Sequence, residues 1–294
     1  MTQSSPLRIW LLATRPKTLA AGSVPVLVAS ALAASQDAFM WQPALLCLLF
    51  ALLAQIASNF SNDYFDFIKG TDTSDRLGPE RAVASGWIKP RQMLIATIAV
   101  IATASLVGMG LIAYGGWSLI WVGIACIVAL LAYTAGPWPL AYHGLGDVFV
   151  LVFFGLVSVV FTYYVQTGSV DWLAIVTGFI VGLPAVNILL LNNYRDRDGD
   201  AVAGKNTTVV LFGAGFAQNA YLINGLLAWL MTFAFVFVDL TWIPLMTCVY
   251  IPLHRATWRK MKRIDHGKAL NPLLGETARN LLIFGVLLAF GLII

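Results

Sequence analysis

Two short stretches of this chain carry one polar pattern. Asn62-Asp63-Tyr64-Phe65-Asp66 and Asn192-Asn193-Tyr194-Arg195-Asp196 both read Asn-(Asp/Asn)-Tyr-x-Asp. On a helix, Asn62 and Asp66 stand at i and i+4 and share a face. Asn192, Asp196 and Asp200 extend the same spacing to i+8. Each stretch is therefore expected to present a strip of oxygen donors. Carboxylates gathered at one place repel unless positive charge stands between them. Carboxylate and amide oxygens suit hard divalent cations, and Mg2+ above all where substrate phosphates complete the shell. Asp63 and Asp72 lie close to the first strip, and Asp198 beside the second. A single Asp at a helix end is usually a solvated cap. Two matched strips point instead to one site built from two related halves.

Cations follow each strip. Lys69, Arg76 and Arg81 lie downstream of the first, among Gly70 and Gly78, and Lys205 follows Gly204 after the second. Metal ions, Lys or Arg and flexible glycines are what a diphosphate requires, because its oxygens must be bridged and its charge neutralised. The cluster at 255–268 is most simply a topology marker.

The elements that must hold these strips are apolar. The chain of 294 residues is 59% hydrophobic and 11% charged, where soluble domains average about 45–50% and about 25%. Its mean hydropathy is +0.81. A disordered chain, a disulfide-stapled domain and a nucleic-acid-binding domain are excluded as first explanations. Nine apolar segments are predicted, at 18–35, 43–60, 92–114, 117–134, 147–166, 172–192, 215–238, 241–254 and 278–294. A membrane helix needs about 20 residues, and the eighth segment is short for that. With nine spans, all 18 Lys and Arg fall on one side. The positive-inside rule makes that side cytoplasmic, with the N-terminus in and the C-terminus out. Asp37, Asp171 and Asp239 fall in the short external loops. Both strips end outside-to-inside spans, so the active face is expected to be cytoplasmic. Cys47, Cys126 and Cys248 lie within apolar segments and act as small hydrophobes. Residues 1–17 have no leader-like pattern, which favours a bacterial cytoplasmic membrane. The expectation is an all-α polytopic membrane protein forming one domain over 1–294.

The motifs resemble those of the UbiA superfamily of intramembrane prenyltransferases. The carrying stretches are Asn62 to Asp66 and Asp196 to Asp200. Within the superfamily, the branch that prenylates 1,4-dihydroxy-2-naphthoate is similar in Arg15-Pro16-Lys17-Thr18-Leu19, Lys69-Gly70-Thr71-Asp72, Arg76 through Val83, Gly144-Leu145-Gly146-Asp147 and Gly204-Lys205-Asn206-Thr207. Many members place a further Asp where this chain has Gly70, and the next acid here is Asp72. The resemblance implies nine helices around a central cavity that opens to lipid. It implies two Mg2+ held by Asn62, Asp66, Asp196 and Asp200, with Asp63 and Asp72 as nearby acids. Lys69, Arg81 and Lys205 would contact a polyprenyl diphosphate. Arg15, Lys17 and Asn192 would place the aromatic acid. Asp66, Asp196 and Asp200 would be catalytic through their metals. Tyr64, Tyr163 and Tyr164 are candidate rings for an allylic cation, and Asp147 either caps its helix or accepts a proton. Alternatives are another acceptor (4-hydroxybenzoate, homogentisate or a haem precursor) or an ion-coupled transporter.

Overall fold

The computed structural model describes residues 5–71 and 77–294. Asp72, with Asp75 and Arg76, lies outside the described residues. Among those residues the only non-helical pairing is an isolated bridge between His143 and Asn206. In lipid each backbone N–H and C=O must be satisfied within its own segment, which leaves a chain of this composition with helices. They are α1 Pro6–Ala13, α2 Leu19–Ala34, α3 Trp41–Ile68, α4 Pro90–Gly110, α5 Leu119–Thr134, α6 Gly146–Thr167, α7 Trp172–Val202, α8 Thr208–Met231, α9 Trp242–Thr247, α10 Tyr250–Ile264 and α11 Asn271–Ile293. Seven stretches are long and apolar enough to cross a membrane. They hold α2, α3, α4, α6, α7, α8 and α11. The shorter α5 and the α9–α10 pair account for the two other apolar segments.

Several boundaries depart from hydropathy. The expected segment 241–254 is split into α9 and α10, and α10 runs on to Ile264. Hydropathy stops at Arg255, yet Tyr250, His254, Thr257 and Met261 keep one buried face going at helical spacing. α3 and α7 likewise extend past their apolar parts, so both polar strips are helical. α1 lies in the polar N-terminal stretch, outside the apolar segments. Ser5 caps it, Trp10 meets Phe60 edge-on at 5.6 Å, and Leu7, Leu11 and Leu12 face outward. A left-handed residue, Arg15 at φ 51°, turns the chain from α1 into α2.

Hydrogen bonds define two ends of the bundle. At one end Asn59 on α3 bonds Thr14 and Thr18, Lys69 bonds Thr134 at the end of α5, and Asn271 at the start of α11 bonds Leu77. At the other, Gln36 bonds Asp171, Met40 bonds Gln166, and Trp242 bonds Gly291. α7 is the most buried span and lies against α2, α6, α8 and α11. Its contact with α6 is set by glycine: a Cβ at Gly155 would stand 2.6 Å from the Gly178 oxygen and 2.8 Å from the Gly182 Cα. Small residues at such spacing let backbones touch where lipid provides no hydrophobic drive. Around Gly155 the helix widens into a π-turn over Leu151–Val157.

Candidate active site

The first strip is the end of a longer stripe. Cys47, Ala51, Ala54 and Ser58 on α3 line an apolar cavity of about 270 Å³. Asn62 and Asp66 continue that face by steps of four. One helix face thus passes from an apolar channel to a charged mouth over about 28 Å, at 1.5 Å per residue. Gly22 of α2, Gly108 of α4, Gly123 of α5 and Phe153 and Phe161 of α6 complete the walls.

At the mouth each side-chain oxygen of Asn62, Asp63 and Asp66 has a partner from another segment. Asp66 pairs with Arg81 at 3.3 Å, with both side chains 8% exposed, and accepts the Tyr142 hydroxyl at 3.0 Å. Asn62 accepts the Thr134 hydroxyl at 2.9 Å. Asp63 points round the helix and accepts the amides of Ala82 and Val83, which fixes the segment carrying Arg81. Lys69 donates to the Thr134 carbonyl at 2.6 Å. Partial desolvation lowers its pKa, opposed by the Asp66 charge.

The second strip is neutralised differently. Arg195 is fully buried. Its guanidinium forks onto both oxygens of Asp196 at 2.8 and 2.6 Å and reaches Asn192 at 2.8 Å and Asn271 at 2.9 Å. Asp200 pairs with Lys205 at 3.6 Å. Arg195 occupies the variable position of the motif, so spacing alone assigns it no role. Its place beside an Asp at the end of an apolar helix was the available signal.

Two tyrosines tie the halves together. Lys69 lies 4.8 Å and Lys205 5.8 Å from the Tyr142 ring centre. The Tyr142 carbonyl also accepts the Asn206 amide at 3.1 Å. Cations over an aromatic face are held by its quadrupole. Tyr133, at the end of α5, is half-buried within range of the charges of Asp147, Asp66, Asp200 and Arg15. Its ring meets Phe149 at 5.2 Å, and Phe149 meets Phe153 at 4.7 Å. The row leads from the mouth into the cavity that both phenylalanines line. Both tyrosines border a loop without Lys or Arg, so charge patterning gave it no weight.

Other expected residues separate. Asn59 and Gln55 hold the turn at 14–18 through Thr18, and Arg15 there is half-buried while Lys17 is exposed. Tyr163 bonds Gln36, and Tyr164 bonds the Gly115 carbonyl at 3.2 Å. Both stand at the end opposite the strips, so neither borders the charged mouth. Tyr64 packs with Phe65 on the α1 side. Asp147 does not cap: the cap position is Leu145, and Asp147 accepts the Thr208 hydroxyl. Among the described residues, no three His, Cys, Asp or Glu side chains gather closely enough to hold an ion unaided. The donor set fits Mg2+ only as part of a shell that phosphate oxygens complete.

A bundle of membrane-length helices with an acid-and-cation mouth over an apolar channel defines an integral membrane protein. The chain belongs to the UbiA prenyltransferase family, whose model matches residues 23–274. It is 36% identical to a 1,4-dihydroxy-2-naphthoate octaprenyltransferase of Haemophilus influenzae over 98% of this chain and 96% of that one. The enzyme of the same description from Escherichia coli is 35% identical over 99% and 96%. Its fold is similar to a UbiA homolog from Archaeoglobus fulgidus bound to DMAPP and Mg2+, with TM-score 0.67, 16% identity and coverage of 97% and 98%. It is also similar to an apo UbiA homolog from Aeropyrum pernix, with TM-score 0.69, 17% identity and coverage of 93% and 96%.

Proposed function

We propose that the protein transfers a polyprenyl group from polyprenyl diphosphate to 1,4-dihydroxy-2-naphthoate, releasing CO2 and diphosphate and giving demethylmenaquinol. The observation that carries this reading is the single face of α3 that lines the apolar cavity and ends in Asn62 and Asp66. A prenyl diphosphate is an amphiphile of that shape. The acceptor is the one in the names of relatives similar over nearly the whole chain.

Nine spans, with the N-terminus and the strips on the cytoplasmic side of a bacterial inner membrane, follow from the one-sided Lys and Arg. Asn62, Asp66, Asp196 and Asp200 would hold two Mg2+, with Asp63 fixing the Arg81 segment. When bound, Mg2+ supplies Lewis-acid stabilisation to the leaving diphosphate. Arg81, Lys69 and Lys205 neutralise the charge that develops as the allylic C–O bond breaks. The ring faces of Tyr133 and Phe149 border the allylic carbon, and the apolar walls keep water from it. Arg15 holds the acceptor carboxylate; Lys17 and Asn192 stand near its route. The ring carbon then forms the new C–C bond, and its carboxylate leaves as CO2.

The test incubates detergent-purified protein with the naphthoate, a labelled polyprenyl diphosphate and Mg2+. A prenylated product that EDTA abolishes is expected. No product, or a rate that EDTA leaves unchanged, refutes the proposal. Hydroxybenzoate and homogentisate in the same assay decide the acceptor.

A further inference from the structure

The C-terminal half presents a cationic surface that the site at the mouth does not use. α10 buries Tyr250, His254, Thr257 and Met261 on one face. Arg255, Arg259, Lys262 and Arg263 occupy the opposite face at i, i+4, i+7 and i+8, and all four are exposed. The same side of the chain just before them is apolar: Leu245 is 74% and Val249 52% exposed, and Pro252 is exposed as well. The outward face therefore changes from hydrocarbon-compatible to cationic within one helical turn, between Pro252 and Arg255.

The nearby acids are already engaged. Glu276 takes Lys260 at 2.7 Å and the Thr257 hydroxyl at 3.2 Å. Asp265 takes Arg197 at 3.3 Å and the Tyr194 hydroxyl. Among the described residues, no carboxylate lies within ion-pair distance of Arg255, Arg259, Lys262 or Arg263. Lys262 rests 4.9 Å from the Trp258 ring centre, which holds its ammonium near the apolar surface. A topology signal requires only that charges be on this side. It does not require one face, helical spacing, or a position against the apolar boundary.

We propose that this face of α10 binds the headgroups of anionic phospholipids in the leaflet that contacts the mouth. Juxtamembrane Lys and Arg on a helix are drawn to anionic lipid, and four on one face over about 12 Å of helix suit phosphodiester groups side by side. The attraction falls with salt because the charges are exposed.

The experiment measures thermal melting of the purified full chain in neutral detergent. Phosphatidylglycerol, phosphatidylcholine or inorganic phosphate is added at low and high salt, for the wild type and for R255Q/R259Q/R263Q. The expected result is an upward shift with phosphatidylglycerol alone, removed by high salt and by the triple variant. Equal shifts with phosphatidylcholine, or a full shift in the triple variant, overturn the proposal. An equal shift with inorganic phosphate also overturns it, as a free-anion site. If the triple variant does not fold, R259Q and K262Q singly must each reduce the shift, and two unreduced shifts overturn the proposal.

Discussion

Arg195 is the side chain whose loss the structure prices most clearly. Arg195→Met removes two hydrogen bonds to Asp196 and one each to Asn192 and Asn271, all between 2.6 and 2.9 Å. The arginine is fully buried, while Asp196 keeps 16% exposure. Breaking a buried pair by removing one partner costs about 3–5 kcal/mol, because the remaining charge is uncompensated. Residual exposure lets water reach Asp196, so the lower end, about 3 kcal/mol, is expected. Arg195→Lys keeps the charge and loses the planar fork, for about 1–2 kcal/mol. Adding Asp196→Asn to Arg195→Met should recover part of the loss, since the orphaned charge goes with its partner. Reversible SDS unfolding of the wild type, both single variants and the double variant completes the cycle. Additivity within about 0.5 kcal/mol refutes the argument, because contacting residues in one network must couple more strongly than that.

Gly155→Ala drives a methyl into two backbone groups of α7 and should destabilise by about 1–3 kcal/mol; Gly123→Ala, with nothing within 4 Å, is the neutral control in the same unfolding assay. Tyr142→Phe keeps the ring beneath Lys69 and Lys205 but removes the hydroxyl from Asp66. Turnover should fall about five- to tenfold, for about 1 kcal/mol, and a rate equal to wild type counts against Tyr142 as a positioning group. The hydrogen bond from Tyr194 holds the Asp265 carboxyl below its ordinary range, aided by His266 and Arg197 against slight burial. A depressed carboxylate contributes stability above its unfolded pKa of about 3.9 and loses it as pH falls through the folded value. Asp265→Asn should therefore flatten the acid side of the melting curve, and an unchanged acid limb contradicts this.

The apolar framework was legible because lipid makes hydrophobicity and span length nearly the same signal. The strips were legible because Asn62, Asp66, Asn192, Asp196 and Asp200 repeat at helical spacing. What escaped was polar structure with no repeat. Tyr133 and Tyr142 stand in ordinary sequence, and only tertiary packing sets them beside the acids. Tyr163 and Tyr164 have rings of the expected type, and their depth along α6 puts them at the end away from the acids. α10 outran its hydropathy because its buried face includes His254 and Thr257, which a hydropathy scale counts as polar.

The two strips also differ in what moves with them. Arg195 and Asp196 are consecutive on one helix, so their pairing travels with α7 through any rigid shift. Asp66 takes its cation from Arg81, on a separate segment held to α3 by the amides that Asp63 accepts. Displacing that segment changes the charge at Asp66 and leaves Asp196 as it was. Asp196 therefore has a permanent counterion and Asp66 a removable one, so the two copies of the motif are electrostatically unequal although their sequence pattern is repeated.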